Sequence, residues 1–580
     1  MLRLRNLFQI AFVMNSPSLT LPRKKGLASS FAPETIHVSL VAIAGLAVIL
    51  PMIFWGVPSA LDLSNHFRFA LPFYDGLRAG HLYPGWLAES NHGFGDASFR
   101  FYPPALYYLL ASARTLTGNW YAATVSTFAV LSMLGAFGVY FWTREFTSSR
   151  NAMWAGIFYA LAPYHLNELY QALLLAEFAA AAVLPFAFLF TERVCRHRRP
   201  KDVAGLAAAF AVLVLTHLPL TVIGSIALAI YALLRIDRRH VWQTLSALCI
   251  SVAIGLAASA CYWTTMLAEM KWIRADNVNP EAGLDYRYNF VLSTFSAEAL
   301  NVWWMNILLL FTLAMFWPAF VLVKRAAREG FAAAQQPSAR VTMSIAAILA
   351  LSLLMATPIS RPIWNLIRPL QETQLPWRWL AITSMACAVL IGLSIPFWMR
   401  VARSRTRPLA MFALGTIAIA LAFSASHIVR EARWLAPAQF ERTLNAIPGS
   451  LSVYQWLPVW VHEPFPQMTA QVEAGERSVT IDSWTPEKRL FHVSAGEAVD
   501  ARVRTFFYPH WTATDGSRQL PTRPDESGAL LIALPKEAAE ITLEFREPGR
   551  VRGAAISTAL GWISIGGLLV KRRKDFESWN

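Results

Sequence analysis

Apolar runs as long as a membrane-spanning helix recur through most of this chain. A helix needs about 20 mainly apolar residues to cross a bilayer, and the first such run covers Ile36–Trp55. The sequence therefore predicts an all-α polytopic membrane protein with about twelve transmembrane helices. The other runs lie near residues 120–142, 152–166, 169–190, 203–216, 220–234, 242–262, 302–323, 341–356, 379–398, 409–426 and 553–570.

Basic residues cluster in the short loops between alternate apolar runs, for example at 193–201 and 400–407. Cytoplasmic loops carry most of the lysine and arginine of a membrane protein, and every short cluster in this chain falls on one face. We therefore predict that both termini are cytoplasmic. The net charge of +15 follows from these clusters, and only 15% of the residues are charged. No nucleic-acid partner is predicted, because the basic residues form no continuous surface.

Residues 427–552 have a different pattern. Stretches such as SVTID, ALLIAL and ITLEF alternate polar and apolar residues, and turn signals such as TDG and EAGE separate them. Alternation with period two is typical of half-buried strands. We predict a small extracytoplasmic β-sandwich domain here. It lies between a transmembrane region over residues 1–426 and a last helix with a basic tail over residues 553–580.

The first outer loop, residues 56–119, is the richest in residues that could carry chemistry. Asp62, Asn65 and His66 are spaced at i, i+3 and i+4, so they share one helical face. A carboxylate just outside the bilayer, with a histidine beside it, is placed to take a proton from an acceptor hydroxyl. Alternatively, Asp62 caps a short interfacial helix and His66 lies at the headgroup level.

The same loop continues through a stretch rich in glycine and aromatic residues. The glycines indicate unusual backbone angles, and structured outer loops commonly build binding sites. Tryptophan and tyrosine also serve as interfacial anchors, so the aromatic residues alone say little. The candidate substrate contacts in this stretch are Glu89, Asn91, His92, Asp96 and Tyr102.

Glu177 is the most conspicuous ionisable residue within an apolar run, some two turns into its predicted helix. A carboxylate inside the membrane is costly, so we expect it to face a cavity or a partner. Alternatively, the helix begins later and Glu177 lies near the interface. His217 lies at a predicted outer turn and is either a structural histidine or a further substrate contact.

Several lysine and arginine residues lie on the predicted outer face, although such residues are concentrated in cytoplasmic loops. Their position therefore needs an explanation from their surroundings. A phosphate headgroup is one such explanation, because guanidinium groups bind phosphate oxygens through paired hydrogen bonds. Arg378, between two tryptophans, is the preferred candidate, together with Lys271 and Arg274. For Arg361 and Arg368, pairing with nearby carboxylates or snorkelling explains the charge equally well.

Familiar catalytic motifs are absent from the sequence. It contains no Walker loop, dinucleotide fingerprint, His-Glu-x-x-His, Cys-x-x-Cys or serine nucleophile elbow. This excludes ATP-driven transport by the chain alone and familiar zinc or NAD chemistry. Chemistry on a membrane-borne substrate, or binding and transport, is what the residues leave open.

Four stretches of the chain resemble a known family. They are the Asp62…His66 pair, YPGWLAESNHGFGDASFRFYPP, LLLAEF and LPWRWL. Together they resemble bacterial and archaeal membrane proteins labelled 6-pyruvoyl-tetrahydropterin synthase-related, which are placed in the GT-C glycosyltransferase superfamily. The C-terminal stretches FFYPHWTATDG and ITLEFREPGRVRGAAIS resemble the outer β domain and last span of the related YfhO-like proteins.

This resemblance implies a GT-C-like fold in a bacterial inner membrane. It also implies inverting transfer of a sugar from a polyprenyl-phosphate donor to a glycan, lipid or protein acceptor. Asp62 matches the acidic first-loop residue that usually acts as the base, and His66 would orient it or bind the acceptor. Arg378, with Lys271 or Arg274, would stabilise the departing phosphate. The β domain would cover the site or hold an acceptor polymer.

No cofactor is predicted apart from the donor substrate. The first loop carries a single aspartate where metal-dependent family members have Asp-x-Asp or Asp-Glu, so no metal ligands are assigned, and the resemblance leaves a role for a divalent metal open. Two other functions compete with transfer. One is a transporter or flippase for lipid-linked substrates, with Glu177 in its pathway. The other is a non-enzymatic envelope assembly factor.

Overall fold

The computed structural model describes residues 33–60, 62–274, 284–293, 302–328, 337–447, 456–516 and 518–570. The basic clusters at residues 3–25 and 571–574, on which the predicted cytoplasmic placement of the termini depends, lie outside the described residues.

The first half of the chain is helical apart from its first loop. The helices are α1 (Pro33–Ala47), α2 (Leu50–Trp55), α3 (Leu63–Arg78), α4 (Ala105–Thr117), α5 (Trp120–Arg144), α6 (Ser149–Ala160), α7 (Pro163–Asn167), α8 (Leu175–His197), α9 (Pro200–Thr216), α10 (Leu218–Arg235), α11 (Val241–Ala258) and α12 (Ala260–Glu269).

The second half continues with helices before and after the strands. They are α13 (Val302–Arg328), α14 (Pro337–Ala356), the short α15 (Arg361–Leu366) and α16 (Arg368–Gln371), α17 (Trp379–Ala402), α18 (Arg407–Glu431), α19 (Pro437–Asn445) and, at the end, α20 (Gly549–Val570).

Ten helical segments of the described residues are long and apolar enough to cross a membrane. The predicted spans near residues 152–166 and 203–216 correspond to α6 and α9, which have 12 and 17 residues and are not among the ten. The polytopic helical fold is confirmed, and the count of about twelve stays a prediction.

Small residues allow α5 and α8 to pack closely at the centre of the bundle. A Cβ placed on Gly135 of α5 would lie 3.3 Å from the Cα of Ala182, and one on Gly138 would lie 2.9 Å from the Cβ of Pro185. Close approach through small residues is the usual basis of helix association in membranes. α8 and α17 are the most buried spans, whereas α18 and α20 lie at the periphery.

The C-terminal region forms two antiparallel sheets. A two-residue pair, β1 (Val57–Pro58) with β2 (Trp434–Leu435), precedes them and joins the first loop to the segment after α18. The remaining strands are β3 (Val472–Glu473), β4 (Val479–Trp484), β5 (Lys488–Val493), β6 (Asp500–Phe506), β7 (Trp511–Thr514), β8 (Gln519–Leu520), β9 (Thr522–Pro524), β10 (Ala529–Ala533) and β11 (Ala539–Phe545).

The strand order is β3-β6-β10-β9 in one sheet and β4-β5-β11-β7-β8 in the other. Burial alternates along β6 and β11, as the period-two sequence predicts. Val503 of β6 and Leu543 of β11 belong to the same hydrophobic cluster, so the two sheets share a core. The predicted C-terminal β domain is confirmed as a β-sheet region; the sandwich arrangement stays a prediction.

Glu269, at the end of α12, connects the β domain to the membrane region. It accepts hydrogen bonds from Arg100 of the first loop (2.5 and 2.8 Å), from Tyr508 (2.7 Å) and His510 (2.9 Å) of the β domain, and from Arg550 of α20 (2.7 Å). Burial by itself raises the pKa of Glu269, but the donors, His510 and Arg100 foremost, lower it well below its ordinary value.

We call the side of the bundle that carries the first loop and the β domain the domain face.

Candidate active site

Asp62 stands immediately before α3 on the domain face. It occupies the N-cap position, as the capping alternative expects, but among the described residues its side chain makes no capping hydrogen bond. Its Oδ1 instead accepts from Asn65 Nδ2 at 3.4 Å, and Asn65 Oδ1 accepts from Arg68 Nη1 at 3.0 Å. The Asp62 carboxylate is half-buried and only weakly held.

His66 lies one turn further along α3 and is buried. Its Nδ1 shares a hydrogen bond of 3.0 Å with the Tyr107 hydroxyl, and its ring centroid lies 6.1 Å from that of Tyr102. Burial lowers the pKa of His66, against the opposing charge of Asp62. Burial also raises the pKa of Tyr102; the charge of Asp62 adds to this rise and that of Arg378 opposes it. Both side chains are therefore neutral near pH 7.

Glu177 and Arg378 form a buried ion pair beside this cluster. Arg378 Nε donates to Glu177 Oε2 at 2.8 Å, and Tyr164 donates to Glu177 Oε1 at 2.7 Å. Arg378 Nη1 donates to the carbonyl of Thr373 at 2.5 Å. Glu177 therefore has a partner, as its sequence position predicts.

The predicted depth of Glu177, two turns into its helix, is wrong. A turn of π-helix over Glu168–Ala172 and the left-handed backbone of Leu173 interrupt the helix, which restarts at Leu175. Glu177 consequently lies in the first turn of α8. A negative charge is favoured there by the helix dipole.

Six of the predicted site residues form one continuous electrostatic cluster. The charges of Asp62, Arg378 and Glu177 act on Tyr102. His217 faces the charge of Arg378 and the imidazole of His66. His217 also has a structural role, because its Nδ1 accepts the backbone N–H of Leu220 at the start of α10. The first loop, α8, the α9–α10 turn and the start of α17 thus meet at one place.

Asn91 and Asp96 are used to build the loop itself. Asn91 Nδ2 donates to the carbonyl of Gly95 at 2.9 Å, and Asp96 Oδ1 accepts the backbone N–H of Ser98 at 2.5 Å. Both side chains are buried. His92, between them in sequence, is exposed with a positive φ.

Glu89 lines a cavity between α3 and the β domain. This cavity is a feature separate from the residues around Asp62.

The other predicted phosphate ligands make different contacts. Arg274 donates to the carbonyl of Val461 and lies 3.1 Å from His462 Nδ1, against the C-terminal region. Lys271 lies over the ring of its neighbour Trp272, 5.6 Å from the centroid. Of the three predicted phosphate ligands, Arg378 is the one that the structure places in the Asp62 cluster.

Sequence reasoning did not assign a role to Tyr107 or Tyr164, the hydroxyl partners of His66 and Glu177. Nor did it assign a role to His165 or Glu168. In the structure His165 Nδ1 and Glu168 Oε2 form a buried pair at 2.7 Å. Among the described residues, no group of three or more histidine, cysteine, aspartate or glutamate side chains is arranged to hold a metal ion.

Comparison with solved structures gives distant likenesses. The chain is 13% identical to ArnT from Cupriavidus metallidurans bound to undecaprenyl phosphate (69% of this chain, 77% of that chain, TM-score 0.44). It is 18% identical to the arabinofuranosyltransferase AftD from Mycobacteria (70% and 27%, TM-score 0.43) and 15% identical to the Archaeoglobus fulgidus oligosaccharyltransferase in the apo form (73% and 57%, TM-score 0.39). The chain thus spans about a quarter of AftD and just over half of the oligosaccharyltransferase.

A comparison with curated protein sequences gives no match. The family model described as "6-pyruvoyl-tetrahydropterin synthase related domain; membrane protein" matches residues 99–432, more than half of the chain. The chain therefore belongs to this family of 6-pyruvoyl-tetrahydropterin synthase-related membrane proteins.

Proposed function

We propose that this chain is an inverting membrane glycosyltransferase that uses a polyprenyl-phosphate-linked sugar as its donor. The observation that carries the proposal is the contrast between two neighbouring carboxylates. Glu177 is buried and hydrogen-bonded by Arg378 and Tyr164, whereas Asp62 is half-buried and accepts one long hydrogen bond from a side chain. Two carboxylates in such different environments suit two different roles.

Asp62 is the group that can receive a proton. In the proposed step an Asp62 oxygen takes the proton of an acceptor hydroxyl, and the acceptor oxygen forms a bond to the anomeric carbon of the donor. The bond between that carbon and the phosphate oxygen breaks, and the electron pair leaves with the polyprenyl phosphate. A single displacement of this kind inverts the anomeric centre.

Arg378 is the group that can stabilise the departing phosphate. Two of its nitrogens are held by Glu177 and by the carbonyl of Thr373. Within the described residues its Nη2 makes no hydrogen bond, which leaves it for a phosphate oxygen. A guanidinium already fixed in position stabilises developing charge without reorganising. In this proposal Glu177 positions Arg378, and the neutral His66 and Tyr102 contact the acceptor.

The test is an assay of the purified full chain with a panel of radiolabelled polyprenyl-phosphate sugars and an envelope fraction as the source of acceptor. We expect transfer by the wild type and a rate about 10²–10⁴-fold lower for Asp62→Asn, the loss expected for a general base. Asp482→Asn is the matched control, because Asp482 is an exposed β-domain carboxylate, 3.1 Å from His492 Nε2.

The rival functions give different results in the same assay. A flippase would move lipid-linked substrate across the bilayer without breaking the sugar–phosphate bond. No turnover with any donor, together with flipping driven by substrate, would overturn the proposed function. An assembly factor would tolerate Asp62→Asn but lose function when the first loop is deleted.

A further inference from the structure

A cavity of about 270 Å³ lies between α3, the segment at residues 81–90 and the β domain. It is distinct from the cluster around Asp62. One part of its wall is apolar, and Leu71 and Leu87 contribute to it. The other part is polar, with Asp75, Glu89 and Glu487 as carboxylates. A concave site with apolar walls and a few polar groups is the usual form of a ligand site.

The carboxylates of the cavity are available to a ligand. Asp75 and Glu89 are exposed at its rim, and neither side chain makes a hydrogen bond or ion pair with another described residue. Glu487 accepts the backbone N–H of Gly85 at 3.3 Å and lies 3.3 Å from His81 Nδ1. Each ionised carboxylate can accept hydrogen bonds at both oxygens, so the cavity offers more acceptors than its own donors use.

This composition favours a ligand rich in hydrogen-bond donors. Three carboxylates against one arginine and one histidine disfavour an anion. The charged groups also disfavour a lipid chain, because burying them without hydrogen-bond partners is costly. A neutral sugar satisfies both walls, since its hydroxyl groups donate to carboxylates while its C–H faces pack against leucine side chains.

Helix α3 connects this cavity to the proposed catalytic carboxylate. Asp62 stands at the start of α3, and Arg68 and Asp75 on the same helix line the cavity. With a rise of 1.5 Å per residue, these positions lie roughly 9 and 20 Å along the helix axis from Asp62. A ligand that fills the cavity and also presents a hydroxyl to Asp62 must therefore be longer than a single sugar ring.

We infer that this cavity binds the acceptor, and that the acceptor is a neutral glycan chain of several sugars. The inference rests on the proposed function, because it assigns a substrate class to the same reaction. It also gives the β domain a role in transfer: Glu487 lies just before β5 and forms part of the acceptor site.

The test is binding of the full chain, in detergent micelles, to an array of linear neutral oligosaccharides, each paired with its constituent monosaccharide. We expect retention of a subset of the oligosaccharides, with at least tenfold weaker binding of the monosaccharides. Asp75→Asn and Glu487→Gln keep the side-chain volume, and each should weaken binding by about tenfold or more. Asp482→Asn should bind as the wild type does.

Failure of this inference is distinguishable from failure of the proposed function. Asp62→Asn should lose transfer but still retain the oligosaccharides on the array. Transfer by a wild type that retains no glycan, or binding that neither cavity variant weakens, would overturn the acceptor site alone. Glycan retention that depends on Asp75 and Glu487, with no transfer from any donor, would instead overturn the proposed function and leave the cavity as a glycan site.

Discussion

Glu177 and Arg378 lie 201 residues apart in the sequence, yet Arg378 Nε donates to Glu177 Oε2 at 2.8 Å in a buried ion pair. Burying two charges costs solvation free energy, which their attraction offsets only when both partners are present and well placed. The pair therefore joins the starts of α8 and α17 and holds a guanidinium beside Asp62.

The first prediction concerns loss of either partner of this pair. Glu177→Gln and Arg378→Gln should each lower the free energy of unfolding by about 3–5 kcal/mol, because each leaves one buried charge uncompensated. The double variant should lose less than the sum of the two. Thermal and denaturant unfolding of the purified full chain measures this.

The matched control for the pair is Arg368→Gln. Arg368 is exposed and pairs with Glu372 across one helical turn at 3.4 Å, so its loss should cost at most about 0.5 kcal/mol. Strictly additive losses at Glu177 and Arg378 would contradict the prediction, and so would a loss at Arg368 of the same size.

The second prediction concerns Glu269, which receives hydrogen bonds from the first loop, the β domain and α20. Glu269→Gln should cost about 3–5 kcal/mol, because the buried Arg100 loses part of its compensation. It should also increase protease cleavage and amide exchange in the β domain. Glu540→Gln is the control, since Glu540 is exposed and lies 3.5 Å from His492. Unchanged protection of the β domain in Glu269→Gln would contradict this role.

The third prediction follows from the lowered pKa of Glu269. The folded carboxylate holds its charge to a lower pH than a glutamate in the unfolded chain, whose pKa is about 4.3. The stabilisation is therefore complete above about pH 4.3 and is lost as the pH falls toward the folded value. Between about pH 5 and 3, the unfolding free energy of the wild type should fall more steeply than that of Glu269→Gln. Parallel curves in a denaturant titration at each pH would rule this out.

The fourth prediction compares two buried arginines of the β domain. Arg477 donates to four backbone carbonyls, those of Ser494, Glu497, Pro535 and Glu537. Arg489 lies between Trp484 and Trp511, 4.3 and 4.7 Å from their ring centroids. It donates to one carbonyl, that of Arg504 at 3.2 Å, and within the described part of the chain its Nε and Nη2 have no hydrogen-bond partner.

The two arginines should respond in opposite ways to methionine. Arg477→Met leaves carbonyls without donors and should destabilise the β domain by several kcal/mol, at about 1 kcal/mol for each hydrogen bond. Arg489→Met removes a poorly compensated buried charge and should be neutral or stabilising by up to about 4 kcal/mol. Amide exchange of the β-domain strands in the full chain measures both. A large loss of stability in Arg489→Met would contradict the comparison.

The fifth prediction concerns Gly95 in the first loop. Its φ is +84°, and a Cβ there would lie 2.1 Å from Trp86 Nε1. Gly118 has a φ of +80° with open space around it, so Gly118→Ala should cost only about 1–2 kcal/mol from backbone strain. Gly95→Ala should cost more, because Trp86 must move and disturb its contacts with Trp511 and Phe545. Equal melting temperatures of the two variants would show that the close approach is unimportant.

Local patterns predict some features of the site and not others. The spacing of Asp62 and His66 predicts that they share one helical face, and the cost of a carboxylate in an apolar run indicates a partner for Glu177. The identity of that partner, Arg378, depends on how α8 and α17 pack. The same limit applies to Lys271 and Arg274, whose outer position suggests phosphate binding but whose contacts lie elsewhere.

The sequence by itself determines that this chain is a polytopic helical membrane protein with a C-terminal β-sheet region. The length of an apolar run indicates whether a helix can span the bilayer, and period-two alternation of polar and apolar residues indicates a strand with one buried face. Only the tertiary structure decides which charges meet. Arg100, Tyr508, His510 and Arg550 converge on Glu269. Helix α3, which begins at Asp62, lines the cavity at Glu487. Such pairings arise from the packing of distant segments, and local periodicity carries no information about partners so far apart.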